Sequence, residues 1–261
     1  MYDFEFVSPS SVAEATQAMQ AAGAQAYGGG QTLLPTMKQR LASPDVLVSL
    51  GSIAEMIGVT ASDGALRIGG ATTHAQVAAQ ATAYPALAAL AGNIGDPAVR
   101  NRGTIGGSSA NNDPAACYPA GALGSGGTIL TNTREIAADD FFAGLFETVL
   151  NDNEIITSVR FPIPDAASYQ KFEQPASRFA LVGVFVARFG GSVRVAVTGA
   201  SGDGVFRWSE AEAALSANFS AGALDGMAPD GANMIADLHG SAAYRAHLTG
   251  VMTRRAVAAC T

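Results

Sequence analysis

The sequence predicts a mixed helix-and-strand protein that divides into two or three subdomains. Its 261 residues are 48% hydrophobic and 14% charged, which is enough apolar material for a sizeable core. Segments with helical and strand periodicity alternate along the first part of the chain. From about Ala166 onward, short apolar strands predominate and an amphipathic helix follows them. A separate C-terminal domain is therefore expected.

The N-terminal part predicts a helix followed by two strands. In "SSVAEATQAMQAAG", Ser11 is placed to cap the helix, Glu14 follows three residues later as in a capping box, and Gly23 closes the segment. The stretch "AQAYGGGQTLLPTMKQRLASPDVLVSL" then predicts a short strand, a glycine turn, an apolar segment and a second strand. These elements form one helix–strand–loop–strand unit.

A hairpin and a helix are predicted next. The hairpin turns at Asp63 and Gly64, and the helix begins at about Thr73, with His74 interpreted as a cap. A change of composition at residues 52–58 indicates a border between subdomains.

The remaining strands and the last helix follow from apolar runs. "GGTILTN", "EIITSVRFPI", "RFALVGVFVARF" and "SVRVAVTGA" predict strands, and "GSAAYRAHLTGVMTRRAVAAC" predicts an amphipathic helix. We therefore predict a first subdomain at residues 1–57, a second at 58–165 and a C-terminal domain at 166–261.

Charge and hydropathy exclude two classes of partner. A formal net charge of −7 and a pI near 4.9 argue against nucleic acid, whose binders usually carry a basic face. The start, "MYDFEFVSPSSVAEA", has no basic segment followed by an apolar run, and no later stretch has the length of a spanning helix. The expectation is a cytoplasmic protein without a membrane span.

The cysteines and histidines do not predict a metal site. Cys117 and Cys260 are far apart, and His74, His239 and His247 are scattered without ligand spacing. An iron–sulfur cluster normally takes four cysteines, so this chain is expected to carry none.

Two glycine clusters are candidates for holding an anion. We call residues 28–34 the first glycine loop and residues 104–113 the second glycine loop. "YGGGQTLLPTMK" lacks the GK[ST] ending of a P-loop, and "TIGGSSANND" lacks the GxGxxG spacing of a Rossmann site. Adjacent glycines nevertheless let consecutive backbone amides point at a diphosphate. Either the two loops grip one dinucleotide together, with added hydroxyl donors, or each is merely a turn. The hydroxyl donors are Thr32, Thr104, Ser108 and Ser109.

Read together, the two loops resemble a known family. "YGGGQTLLPTMKQR" resembles an AGGxSLLPxMKxR segment, and "VRNRGTIGGSSANNDPAACYPA" resembles VRNxGTIGGxxAxADPAADLPA. Both segments are found in the FAD-binding medium subunits of molybdenum hydroxylases, a group with carbon monoxide, nicotine and xanthine dehydrogenases. Four further segments match in the same order: "ALRIGGATTHAQVA", "ADDFFAGLFETVLNDNEIITSVRFP", "SRFALVGV" and "SAAYRAHLTGVMTRRAV".

The resemblance implies an α+β fold and a cofactor. The fold is the vanillyl-alcohol-oxidase (PCMH)-type FAD-binding fold of two subdomains, followed by a C-terminal domain with a small antiparallel sheet and helices. The first glycine loop is implied to lie along the FAD diphosphate through Gly28, Gly29, Gly30, Gln31, Thr32, Leu33 and Leu34. The second glycine loop is implied to contact the diphosphate and ribityl regions through Thr104, Ile105, Gly106, Gly107, Ser108, Asn111 and Asp113. The segment Phe179, Ala180 and Leu181 is implied to approach the isoalloxazine ring, as is Lys171, for which a solvated lysine is an equal alternative.

The resemblance also implies a function. The chain would be the electron-transfer subunit of a complex. It would oxidise no substrate itself and would supply no catalytic residue. A large molybdopterin subunit would oxidise the substrate, and a small subunit with [2Fe-2S] clusters would pass electrons to this FAD, in a dimer of heterotrimers. The external acceptor stays open.

Two alternatives remain at the level of sequence. One is a free-standing flavin oxidoreductase of the same fold, for which no convincing acid or base is found. The other is an assembly subunit that has lost its flavin. Cys117 supports the second alternative, because the family often has Asp there and a thiol is a poorer hydrogen-bond partner. The pair Asn111 and Asn112 also departs from the family pattern, which has Ala at position 112.

Overall fold

The first sheet has three parallel strands. The structure is a computed structural model that describes residues 1–260. Strand β1 (Glu5–Val7) leads through helix α1 (Val12–Ala18) to β2 (Ala24–Tyr27), and α2 (Leu33–Lys38) leads to β3 (Val46–Ser49). The strand order is β1-β3-β2, so β3 lies in the middle. Since the strands are parallel, the first glycine loop emerges at the carboxyl edge of this sheet.

The capping box predicted for α1 is half formed. The Ser11 hydroxyl accepts a hydrogen bond from the Glu14 amide at 3.2 Å, as predicted. The Glu14 carboxylate, however, accepts from the backbone amide and hydroxyl of Ser10, at 2.7 and 2.8 Å. The carboxylate therefore satisfies donors one residue earlier than a capping box requires.

The middle of the chain forms a second sheet with helices on it. The strands of this part of the chain are β4 (Val59–Ser62), β5 (Ala65–Gly69), β6 (Thr128–Thr131), β7 (Glu135–Ala137), β8 (Phe142–Gly144), β9 (Glu147–Thr148) and β10 (Ile156–Pro162). Five of these strands form an antiparallel sheet in the order β4-β5-β10-β6-β7, and β8 and β9 form a separate hairpin. The helices are α3 (His74–Gln80), α4 (Pro85–Gly92), α5 (Pro97–Arg100), α6 (Ile105–Asn111), α7 (Cys117–Ser125) and α8 (Ala138–Phe141).

Local signals placed the first elements of this sheet correctly. Asp63 and Gly64 both have positive φ, 51° and 72°, and form the predicted turn between β4 and β5. The cap of α3 is Thr73, whose hydroxyl accepts from the amide of Gln76 at 3.3 Å. The interpretation of His74 as the cap was wrong, because His74 is already helical and its ring is buried.

The third sheet is an antiparallel meander. Strands β11 (Ala166–Glu173), β12 (Ala180–Phe189), β13 (Ser192–Ser201) and β14 (Gly204–Arg207) pair in chain order. Helices α9 (Ser209–Ala217) and α10 (Ala242–Ala258) follow. The last helix confirms the prediction of a long C-terminal amphipathic element.

Both faces of the third sheet are buried. Along β12, Val184 and Val186 pack in one core with α9 and α10, while the alternating Phe185 and Ala187 pack in another core with α4 and α7. This two-residue alternation is the pattern of a strand between two layers. Residues 58–165 and 166–260 therefore share a core. The predicted boundaries at 57/58 and 165/166 stay a prediction.

Candidate functional site

A cleft of about 950 Å³ lies between the first and second sheets. One side is formed by residues between 19 and 36, which include the first glycine loop. The other side is formed by residues between 70 and 74, 103 and 116, and 146 and 156. This volume is typical of a site for a cofactor-sized ligand.

The first glycine loop presents backbone amides. It follows β2 directly, and Gly30 has φ +72°, a conformation that favours glycine. Within residues 1–260, the N–H groups of Gly29, Gly30, Gln31 and Thr32 donate to no other group of the chain. Four consecutive N–H groups at the edge of a cleft can bind an anion without a basic side chain.

The second glycine loop uses its amides internally. The N–H of Ile105 donates to the Thr72 carbonyl at 3.2 Å, and that of Gly106 donates to the Gly70 carbonyl at 2.9 Å. The N–H of Gly107 donates to the Thr104 hydroxyl at 3.2 Å. This differs from the expectation that both loops aim amides at a ligand, because the neighbouring chain at residues 70–72 already accepts them. The second loop contributes side chains and a close surface.

Several glycines allow the two loops to touch. A Cβ on Gly29 would overlap the backbone of Arg102 and Gly103, and one on Gly28 would lie 2.8 Å from the Thr104 hydroxyl. A Cβ on Gly106 would lie 2.6 Å from the Gly70 carbonyl. Gly29 and Gly106 are therefore required for backbone packing, and Gly28 allows the close approach of the Thr104 side chain. Gly107 differs, because it is exposed to the cleft and its Cβ would meet only the Thr104 hydroxyl at 3.0 Å.

Most of the sequence-predicted contact residues line this cleft. They are Gly28, Gly29, Gly30, Gln31, Thr32, Leu33, Thr104, Gly106, Gly107, Ser108, Asn111, Asp113 and Phe179. Five others lie outside the lining: Leu34, Ile105, Ala180, Leu181 and Lys171. Of these five, Ile105, Ala180 and Leu181 are buried in the apolar cores. The contacts of all these residues with FAD stay a prediction.

Lys171 is a buried structural residue. Its side chain is 0% exposed, and its ammonium donates to the carbonyls of Asn93 and Arg178, the latter at 2.9 Å. The alternative of a solvated lysine is therefore wrong. Because Arg178 directly precedes Phe179, Lys171 ties the loop that carries this aromatic ring to the end of α4.

Cys117 lies away from the cleft lining. It is the first residue of α7, is 6% exposed and belongs to the core beneath the second and third sheets. Burial raises the pKa of its thiol, so the thiol stays protonated at neutral pH. The departure at this position therefore changes the core of the protein and leaves the lining of the cleft as it is.

Asp113 is the carboxylate of the second glycine loop. It accepts a hydrogen bond from the Ala115 amide at 2.8 Å and lines the cleft. Burial raises the pKa of this carboxyl above its usual value. Asp113 is thus placed to accept hydrogen bonds from hydroxyl groups of a ligand.

Sequence reasoning missed residues that enter the cleft from other segments. Gly70 and Ala71 follow β5, Phe146 is at the tip of the β8–β9 hairpin, and Ile156 begins β10. Their positions depend on sheet pairing, for which the sequence holds no local signal.

Within residues 1–260, no group of three or more His, Cys, Asp or Glu side chains is arranged to hold a metal ion. No helix of the described chain is long and apolar enough to cross a membrane.

His74 was missed as a residue of the cleft wall. It is 4% exposed, its ring packs 5.3 Å from that of Tyr118, and its Nδ1 has no partner within the described chain. Burial, with a smaller contribution from Arg100, lowers the pKa of His74 from 6.5 to about 4. The ring is therefore neutral at pH 7.

We expect His74 to make stability depend on pH. The unfolded chain binds a proton near pH 6.5 and the folded chain only near pH 4, so stability is lost as pH falls between these values. The loss between pH 7 and pH 5 should be about 2 kcal/mol. Urea unfolding at both pH values measures it, and His74→Gln should remove this part of the dependence. His247→Gln, at an exposed position of α10, is the control that should retain it. An unchanged pH slope in His74→Gln would contradict the assignment.

The fold and the cleft together define a class of protein. Two glycine loops, one after strand β2 and one around helix α6, line the same cleft, and the part of the lining within residues 1–260 contains neither lysine nor arginine. An anion in this cleft would therefore be bound by backbone amides, and such a site is expected of an α+β protein that binds a dinucleotide cofactor.

The family is shown by sequence. Residues 2–164 match the family described as the FAD binding domain in molybdopterin dehydrogenase, and the chain belongs to this family. It is 33% identical over 270 residues to the nicotine 6-hydroxylase medium subunit of Paenarthrobacter nicotinovorans, with 97% of this chain and 95% of the relative covered. It is 31% identical over 275 residues to the carbon monoxide dehydrogenase medium chain of Hydrogenophaga pseudoflava, with 97% and 96% covered.

A solved structure supports the fold over the whole length. One chain of the carbon monoxide dehydrogenase from Hydrogenophaga pseudoflava that lacks the Mo-pyranopterin moiety superimposes with a TM-score of 0.84. The match is 31% identical and covers 99% of this chain and 97% of that chain. The α+β FAD-binding fold and the resemblance to medium subunits are confirmed. The chain is an oxidoreductase subunit whose cofactor is FAD.

Proposed function

We propose that the cleft holds FAD and that the chain transfers electrons within a molybdenum hydroxylase complex. The observation that carries the proposal is the run of four N–H groups, Gly29 to Thr32, that line the cleft and donate to no other group within residues 1–260. In the proposal these groups bind the diphosphate. Ser108, Asn111 and Asp113 supply polar contacts on the opposite side.

The residues present fit this cofactor. The free amides suit a diphosphate, and Gly28 and Gly107 line the cleft without a side chain that would project into it. When bound, FAD exchanges one or two electrons and so connects one-electron carriers to a two-electron acceptor. The chain's own residues bind and orient it and exclude water from the cleft.

The partners are proposed from the relatives. Those relatives are medium subunits of a nicotine hydroxylase and of carbon monoxide dehydrogenases. We propose that substrate is oxidised in a large molybdopterin subunit and that a small subunit with [2Fe-2S] clusters delivers electrons to this chain. A dimer of heterotrimers in the cytoplasm is part of the same proposal.

An absorbance spectrum of the purified chain tests the proposal. We expect a flavin spectrum at about one FAD per chain, with FAD identified by chromatography after denaturation. Reduction of this flavin by an organic substrate without partners would instead support a free-standing oxidoreductase. Absence of flavin after titration with FAD would support the flavin-free assembly subunit.

A further inference from the structure

The tip of the β8–β9 hairpin places an aromatic ring in the cleft wall. Phe146 lines the cleft and is 56% exposed. Its backbone has φ +55°, a left-handed conformation that is unfavourable for a bulky residue. Phe146 therefore presents an exposed aromatic ring to the cleft from a backbone conformation that has to be held in place by its surroundings.

Asn112 holds the hairpin. It is 1% exposed and ends α6 in the left-handed conformation, with φ 42° and ψ 48°. Its side-chain Nδ2 donates to the backbone carbonyls of Gly144 and Glu147, both at 2.8 Å. Its backbone carbonyl accepts from the Phe146 amide at 3.2 Å. Three hydrogen bonds from one residue thus surround the hairpin tip.

This tether joins the hairpin to the second glycine loop. Asn112 lies in that loop between Asn111 and Asp113, both of which line the cleft. An alanine side chain at position 112 could not donate to the two carbonyls, so the side-chain part of the tether depends on the Asn112 amide.

We propose that Phe146 contacts the bound cofactor, that the β8–β9 hairpin is a wall of the FAD site, and that Asn112 is the positioning residue for this wall. A ring at this place adds apolar contact to a planar ligand and keeps water from it. The inference rests on the proposed function, because the cofactor is what covers the ring.

The test uses the full chain reconstituted with FAD. The variants are Phe146→Ser and Asn112→Ala, alone and together, and the matched control is Phe6→Ser, which removes a ring that is 54% exposed on β1 outside the cleft lining. The FAD dissociation rate and the quenching of flavin fluorescence by iodide are measured. Hydrogen exchange at residues 142–148 reports on the hairpin in Asn112→Ala.

We expect Phe146→Ser and Asn112→Ala each to accelerate FAD release about tenfold and to increase iodide quenching. The double variant should exceed neither single one by much, since both remove the same contact. Exchange at the hairpin should rise in Asn112→Ala, and Phe6→Ser should behave as the unaltered chain.

Three results would overturn all or part of the inference. Unchanged FAD release and quenching in Phe146→Ser would show that the ring does not contact the cofactor, while FAD binding itself would leave the proposed function intact. Unchanged hairpin exchange in Asn112→Ala would remove the positioning role of Asn112. Failure of the unaltered chain to bind FAD would overturn the proposed function and this inference together.

Discussion

Replacing Gly107 by valine should abolish most FAD binding while leaving the protein folded. Gly107 lies in α6 and is exposed to the cleft, where the two glycine loops approach each other. Valine is tolerated in a helix better than glycine, so α6 should persist. Its side chain, however, occupies the space beside Thr104 and the first glycine loop. We expect the FAD dissociation constant to rise about 100-fold, or roughly 3 kcal/mol, in a fluorescence titration.

The matched control is Gly191→Val. A Cβ on Gly191 meets no atom within 4 Å, and this residue lies in the turn between β12 and β13, outside the cleft lining. It should bind FAD like the unaltered chain. Tight FAD binding by Gly107→Val would mean that the cofactor does not lie against Gly107. Gly106 is less suitable for this test, because any side chain there would also collide with the Gly70 carbonyl and disturb the fold.

Replacing Arg245 by methionine should cause a large loss of stability. The guanidinium in α10 is 3% exposed and donates to the carbonyls of Leu181 and Gly199, at 2.8 and 2.7 Å. It also forms an ion pair with Asp237 at 2.8 Å. Methionine fills similar volume but leaves both buried carbonyls without a donor. We expect the free energy of unfolding in urea to fall by about 3 kcal/mol.

Arg255→Met in the same helix is the control for this change. Arg255 is exposed, so its replacement should alter the free energy of unfolding by no more than about 0.5 kcal/mol. A loss below about 1 kcal/mol in Arg245→Met would show that water replaces the guanidinium at the two carbonyls.

Much of the fold could be predicted from local signals. The turn at Asp63 and Gly64, the cap of α1 at Ser11 and the long last helix depend on residues within about one helical turn of each other. Such signals can be recognised because the residues that produce them are close together in the sequence. The order of the strands in the second sheet cannot be recognised in this way, because β10 lies between β5 and β6, which are far from it in the chain.

The sequence could predict the candidate site as a pair of loops. It could not predict which backbone amides of these loops are free to bind a ligand. Spacing alone could not distinguish the free amides of Gly29 and Gly30 from those of Gly106 and Gly107, which are bonded within the chain. Whether an amide is free depends on which distant carbonyl packs against it.

The sequence by itself determined the fold class, the family and the two glycine loops, since composition, periodicity and the ordered motifs all act through neighbouring residues. Only the tertiary structure decided that the side chains of Cys117 and Lys171 are buried, and that Asn112 is hydrogen-bonded to the β8–β9 hairpin. The physical reason is distance along the chain. Asn112 and Gly144 are 32 positions apart, and Lys171 and Asn93 are 78 apart, so their contacts exist only once the sheets have packed.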